Sequence, residues 1–209
     1  MVTNARRNLL QMFTAVPLGA AAVMIGGKAA EASPSHEPRL ANLEARQEIT
    51  DVLYRYARGN DRRDEALIRS CFWPDGRYIF APFDGNAQKF VTMAMGILNS
   101  LLWCQHYITN PMIEVRGDQA VSECYFFAHH HTKKKDGSEE EEFYEGRYLD
   151  RFERRKGIWK SAFRHGIMDY IATAPSPQPY NSIKDHSVYG PGDPIFKMLA
   201  DLRASHSAR

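Results

Sequence analysis

The feature that most constrains this chain is a change of hydrophobic period near His106. Before it, apolar residues recur every three or four positions, as on helices packed by one face. After it come four runs rich in β-branched and aromatic residues, 107–115, 120–132, 142–154 and 159–173. Arg116-Gly117-Asp118, Lys135-Asp136-Gly137 and Lys156-Gly157 separate them, each a turn signal. Helices followed by an antiparallel meander define an α+β domain with its helices on one face of the sheet.

The helical part divides further. A first helix starts at Pro38, with Leu40, Leu43, Ile49, Val52, Leu53 and Tyr56 on one side, and Gly59-Asn60 is expected to end it. Asp64 fits the N-cap of a short helix over 65–72. Pro74-Asp75-Gly76 is a turn before a strand over 77–80, and a third helix over 87–103 is apolar almost all round, as a deeply buried helix would be. The expected architecture is a cone-shaped α+β barrel over 38–173, with three N-terminal helices on a curved, mostly antiparallel sheet and a blind apolar pocket between them.

Both ends differ from this core. Residues 1–32 place Arg6-Arg7-Asn8-Leu9-Leu10 ahead of an apolar stretch, then Lys28 and a small-residue cleavage site at Ala30-Glu31-Ala32. That is the layout of an export signal of the twin-arginine type, and implies a periplasmic or otherwise exported protein. The alternative is an uncleaved helix or anchor in a cytoplasmic protein, but the stretch is short, Ala/Gly-rich and broken by Pro17. At the other end, 174–209 is a Pro-rich extension with a short apolar pattern.

Arg6, Arg7, Lys28 and Glu31 together carry the whole net charge of +2, so the rest of the chain is neutral. Neutrality gives no electrostatic basis for binding nucleic acid. The three cysteines, Cys71, Cys104 and Cys124, lie far apart in apolar surroundings, which fits neither a disulfide framework nor a structural zinc site. In His129-His130-His131 strand alternation lets at most His129 and His131 share a face, without a third ligand, so no metal is expected there. Glu145, Arg147 and Asp150 are expected to form ion pairs on the sheet surface.

Four residues from separate places could do chemistry together: Tyr56, Asp61, His106 and Arg164. They fall within stretches that resemble the SnoaL-like group of the nuclear transport factor 2-like superfamily. The matching stretches are Glu48-Ile49 through Tyr54-x-Tyr56, Asp61-Arg62-Arg63-Asp64, Cys71-Phe72-x-Pro74-Asp75, His106-Tyr107-x-Thr109-Asn110, and Gly146-Arg147-Tyr148-x-Asp150-Arg151-Phe152-Glu153-Arg154 running into Gly157-x-Trp159-Lys160. They spread over about 44–173. The resemblance implies that Asp61 holds His106, as the equivalent pair does in the dehydratase and dehydrochlorinase members, and that Arg164 lines the pocket. Tyr56 stands where the dehydrochlorinase members have a lysine, and a phenol suits a hydroxyl or carbonyl oxygen better than a departing anion.

The chemistry so implied is a cofactor-independent elimination. His106 would remove a proton, Asp61 would fix its tautomer, and Tyr56 with Arg164 would stabilise oxygen charge. The expected substrate is a hydrophobic, hydroxylated aromatic, polyketide-like or steroid-like molecule, with Tyr54, Trp103, Asn110, His129 and Tyr148 binding it. No cofactor or metal is called for. C–C cleavage releasing a small carbonyl fragment, double-bond isomerisation and a non-catalytic binding or assembly role remain alternatives in the same pocket. Relatives of this kind are commonly dimers or trimers, so a homo-oligomer is expected.

Overall fold

A computed structural model describes residues 36–184 and 186–207. Residues 1–32, expected to be an export signal, lie outside these residues.

Helix α1 (His36–Arg62) buries a stripe of Ala45, Ile49, Val52, Leu53 and Tyr56. It passes through Gly59-Asn60 and stops at Arg62, where Arg63 turns the chain with a φ of 53°. Gly59 serves close packing instead of termination. A Cβ there would lie 2.6 Å from Ile68 Cγ1, so its absence lets α2 (Glu65–Ser70) press on α1. Asp64 caps α2 as expected, its carboxylate accepting from the Leu67 amide at 2.9 Å.

The strands are β1 (Phe72–Phe80), β2 (Phe83–Asn86), β3 (Trp103–Arg116), β4 (Gln119–Lys133), β5 (Glu139–Arg155) and β6 (Ile158–Pro175). They form one sheet in the order β2-β1-β6-β5-β4-β3, with β1 parallel to β6 and every other pair antiparallel. The expected closed cone-shaped barrel is therefore corrected. The sheet is mixed, open and not strongly curled, and β2 and β3 are its two edges. Closure needs edge strands that can pair with consistent stagger. β2 is only four residues long and hangs from a strand that joins β6 in parallel, so the sheet ends there.

Helix α3 (Ala87–Leu98) is shorter than the apolar run suggests, because Trp103 already belongs to β3. It is not buried all round either. Phe90, Val91, Met95 and Leu98 face inward, whereas Met93 and Ile97 are exposed. Between the helices and the sheet, the rings of Tyr56, Phe72, Tyr78, Phe90, Phe126 and Tyr148 fill the core. Tyr78 stacks on Phe90 at 3.8 Å, and Phe126 on Tyr148 at 4.4 Å. Gly146 makes this fit possible, because a Cβ there would collide with the Ile167 carbonyl and the Phe126 ring.

Beyond Pro175 the chain makes two single 3-10 turns, Tyr180–Ser182 and Gly190–Gly192, before α4 (Pro194–Ser207). No helix among the described residues is long and apolar enough to cross a membrane.

Candidate active site

Asp61 lies in the last turn of α1, and His106 is the fourth residue of the edge strand β3. Their side chains meet: His106 Nδ1 is 2.8 Å from Asp61 Oδ1. The pair is mostly enclosed, at 10% and 18% side-chain exposure, yet it still reaches solvent. A carboxylate accepting from Nδ1–H leaves the Nε2 lone pair as the basic position of the neutral ring. Beside the pair runs a groove of about 350 Å³ along the β3 edge, lined by Tyr54, Ala57, Arg58 and Thr109 as well as the two partners.

Tyr56 and Arg164 form a second, deeper cluster. Arg164 is 1% exposed and paired through two hydrogen bonds to Asp150, Nε–Oδ1 at 2.9 Å and Nη2–Oδ2 at 3.0 Å. Its guanidinium carbon lies 4.4 Å from the Tyr56 ring centre and 4.3 Å from that of Tyr148. Burial opposes the charge on Arg164, but the Asp150 carboxylate outweighs it and holds the group firmly protonated. The Tyr56 and Tyr78 hydroxyls are 3.2 Å apart. Burial pushes the phenols of Tyr78 and Tyr148 well above their usual range, so both stay neutral. Five residues of α1, about 7.5 Å of helix, separate Tyr56 from Asp61. The expected quartet is thus two neighbouring pairs, one sealed in the core and one open to the groove.

The profile of a SnoaL-like domain matches residues 41–165. This chain belongs to the SnoaL-like family, within the nuclear transport factor 2-like superfamily. Its fold recurs in solved structures at low identity. A type 2 hexachlorocyclohexane dehydrochlorinase, LinA, superposes with a TM-score of 0.58 at 20% identity, covering 74% of this chain and 99% of that one. A LinA type 3 from Novosphingobium barchaimii LL02 gives 0.58 at 19%, covering 73% and 99%. A protein assigned as a scytalone dehydratase from Novosphingobium aromaticivorans DSM 12444 gives 0.58 at 18%, covering 74% and 97%. No curated protein matches the sequence significantly.

The remaining expected site residues of this SnoaL-like protein are dispersed. Tyr54 is half exposed at the groove, and Tyr148 is buried under Arg164. Asn110, with a φ of 52°, sits at the register shift of β3 and is exposed. Trp103 and His129 pack edge to face at 4.8 Å on the sheet face away from the helices, so neither meets the Asp61–His106 pair. Asp150 is no surface charge: it is the buried partner of Arg164, while Arg147 does pair with Glu123 and Asp169 near the surface.

The histidine that does face the pair is His130. It is the cross-strand partner of Cys104, and its ring centre lies 5.4 Å from that of His106. Burial, reinforced by His106 and His129, pushes its pKa down to about 3, so it stays neutral. Its Nε2 is buried without a hydrogen-bond partner among the described residues. All three histidines stand by glutamates of β5: His129 pairs with Glu141, His131 with Glu139 at 2.8 Å, and His130 Nδ1 lies 3.9 Å from Glu142.

All three cysteines are buried and free. Burial raises Cys71 to about 11 and Cys104 and Cys124 to about 12, with Asp61 adding to the rise at Cys104. A protonated, enclosed thiol is a poor nucleophile. An aromatic disulfide reagent is accordingly expected to titrate no thiol in the native chain and three after unfolding. Rapid native reaction of Cys104 would contradict this account of the site.

The C-terminal extension straps onto the same end of the molecule. Tyr180 is buried edge-on to His131 at 5.7 Å, and its amide donates to Glu139 at 2.8 Å. Further on, the Tyr189 ring lies 4.0 Å from the Arg63 guanidinium, and Asp193 pairs with Arg62 at 3.0 Å. The strap therefore grips the two residues that follow Asp61.

Proposed function

We propose that this protein is a cofactor-independent lyase that removes water from a hydrophobic, hydroxylated aromatic, polyketide-like or steroid-like molecule. The observation that carries the reading is the 2.8 Å contact between His106 Nδ1 and Asp61, with Nε2 left as base beside an open groove. In this reading Nε2 takes a proton from a carbon made acidic by a neighbouring carbonyl or aromatic ring. Asp61 stabilises the imidazolium. The proton then leaves with the departing hydroxyl as water, so the pair returns to its starting charge and no oxidant is consumed. His130, held neutral, does not compete for the proton.

Tyr56, buried with its hydroxyl against that of Tyr78, backs the pair from the core and does not meet the substrate at the groove. Arg164, sealed behind the Tyr56 and Tyr148 rings and held by Asp150, acts as a positioning residue that fixes a positive charge in the core behind the pair. Family membership supports the reading, since similar folds include a dehydrochlorinase and a protein assigned as a dehydratase. On the twin-arginine-like reading of 1–32, the reaction takes place outside the cytoplasm.

The test is to incubate the purified chain with a panel of β-hydroxy carbonyl aromatics and steroids and to follow products by mass. Loss of one water is the expected result. Loss of formaldehyde would assign C–C cleavage instead, and tight binding without turnover would assign a binding module.

A further inference from the structure

We infer that the pocket of Asp61 and His106 is also a binding site for a single thiophilic divalent cation of the Zn²⁺ class, with Cys104 as the sulfur ligand. An Asp61 carboxylate oxygen, Cys104 Sγ and a His106 ring nitrogen all lie within 4.8 Å of one another. Around a tetrahedral zinc, with metal–sulfur near 2.3 Å and metal–nitrogen near 2.0–2.1 Å, neighbouring donors stand about 3.3–3.6 Å apart. Small side-chain rotations close that difference.

The fold supplies these donors from two rigid elements. Cys104 and His106 are alternate residues of β3 and so share the helix-covered face of the sheet. Asp61 meets them from the end of α1. Cys104 has only a weak commitment, 3.7 Å from the Asn60 carbonyl. The fourth position is addressed by a separate observation. His130 stands directly across from Cys104 on β4, next to the His106 ring, with a buried and unpartnered Nε2.

One carboxylate, one sulfur and two imidazoles suit Zn²⁺, Co²⁺ or Cd²⁺, and suit Mg²⁺ or Ca²⁺ poorly. Two arginines follow Asp61 directly, but Arg62 is engaged by Asp193 and Arg63 by the Leu101 carbonyl and the Tyr189 ring. An ion on either nitrogen of His106 removes the base, so the loaded form is closed to proton abstraction. That last consequence rests on the acid–base reading of the pair; the binding site does not.

The experiment is a Co²⁺ titration of the untagged, chelator-treated full chain, read by visible absorption. A saturable thiolate-to-cobalt charge-transfer band at one ion per chain, displaced by Zn²⁺, is expected. Cys104→Ser should abolish the band, and Cys71→Ser and Cys124→Ser should keep it. His130→Gln should weaken binding, with the fold of each variant checked by circular dichroism.

Absence of the band, its persistence in Cys104→Ser, or dependence on the His129→Gln/His131→Gln double variant would each overturn the inference. The two readings fail separately. A cobalt band with an unimpaired His106→Ala enzyme would sink the acid–base pair and leave the metal site standing. Dehydration that needs His106 in a chain showing no band would do the reverse.

Discussion

His106→Ala is expected to lower turnover by about 10²–10⁴-fold while leaving substrate affinity within a few-fold, the usual cost of removing a positioned general base. The geometry states why the loss should fall on kcat. His106 contributes a lone pair at the groove and is mostly enclosed, so it offers the substrate little contact area. Asp61→Asn keeps the shape but presents an amide where a carboxylate stood, and the tautomer and imidazolium lose their support. It should also cost turnover, by a smaller factor than the alanine. Steady-state kinetics with a direct binding measurement separate the two parameters. Equal losses in kcat and in affinity would mean that His106 is a contact residue, and the elimination mechanism would have to be abandoned.

The largest stability effect should come from breaking the Arg164–Asp150 pair. Asp150→Ala leaves a guanidinium charged and sealed from water, which costs about 3–5 kcal/mol. At about 2–4 °C per kcal/mol for a chain of this size, the melting temperature should fall by about 6–20 °C. Replacing both partners together, Asp150→Leu with Arg164→Met, should recover most of the loss, because a packed apolar pair escapes the desolvation cost of the ions. The double variant also separates fold from chemistry. Near-native stability with reduced turnover would assign Arg164 an electrostatic part in the reaction, and unchanged turnover would make the pair purely structural. A single Asp150→Ala variant as stable as the parent would contradict the burial on which this rests.

The sequence announces α1 to α3, the strand β1, the four-strand meander and the Asp64 cap, and the family resemblance supplies the contact between Asp61 and His106. The sequence hides what depends on the end of an element or on the parity of a strand. Whether a sheet closes is decided by its edge strands, and nothing in the run around Phe83 announces a four-residue edge hairpin. Gly59 looked like a stop because glycine ends helices, whereas here it admits Ile68.

Parity along β4 points to His130 in place of His129. Ala120, Ser122, Cys124, Phe126 and Ala128 are the small or apolar alternates of β4, and continuing the count lands on His130. The same count through Tyr148 and Phe152 puts Asp150 inside. A buried carboxylate looks like a surface one until its partner is known. Arg164 provided that partner from a strand whose pairing could not be read locally.

The C-terminal strap ties the tail of the chain to the Asp61–His106 pair by a short mechanical linkage. Tyr189 and Asp193 hold Arg63 and Arg62, the residues immediately after the carboxylate that orients His106. A protease cut between Tyr180 and Tyr189, or a bulky fusion that pulls this segment away, would release the last turn of α1 while leaving the sheet untouched. Work on this protein should therefore carry any tag where it places no load on the tail. On the acid–base reading, a substitution at Tyr189 or Asp193 would change the aim of His106 without altering His106 itself.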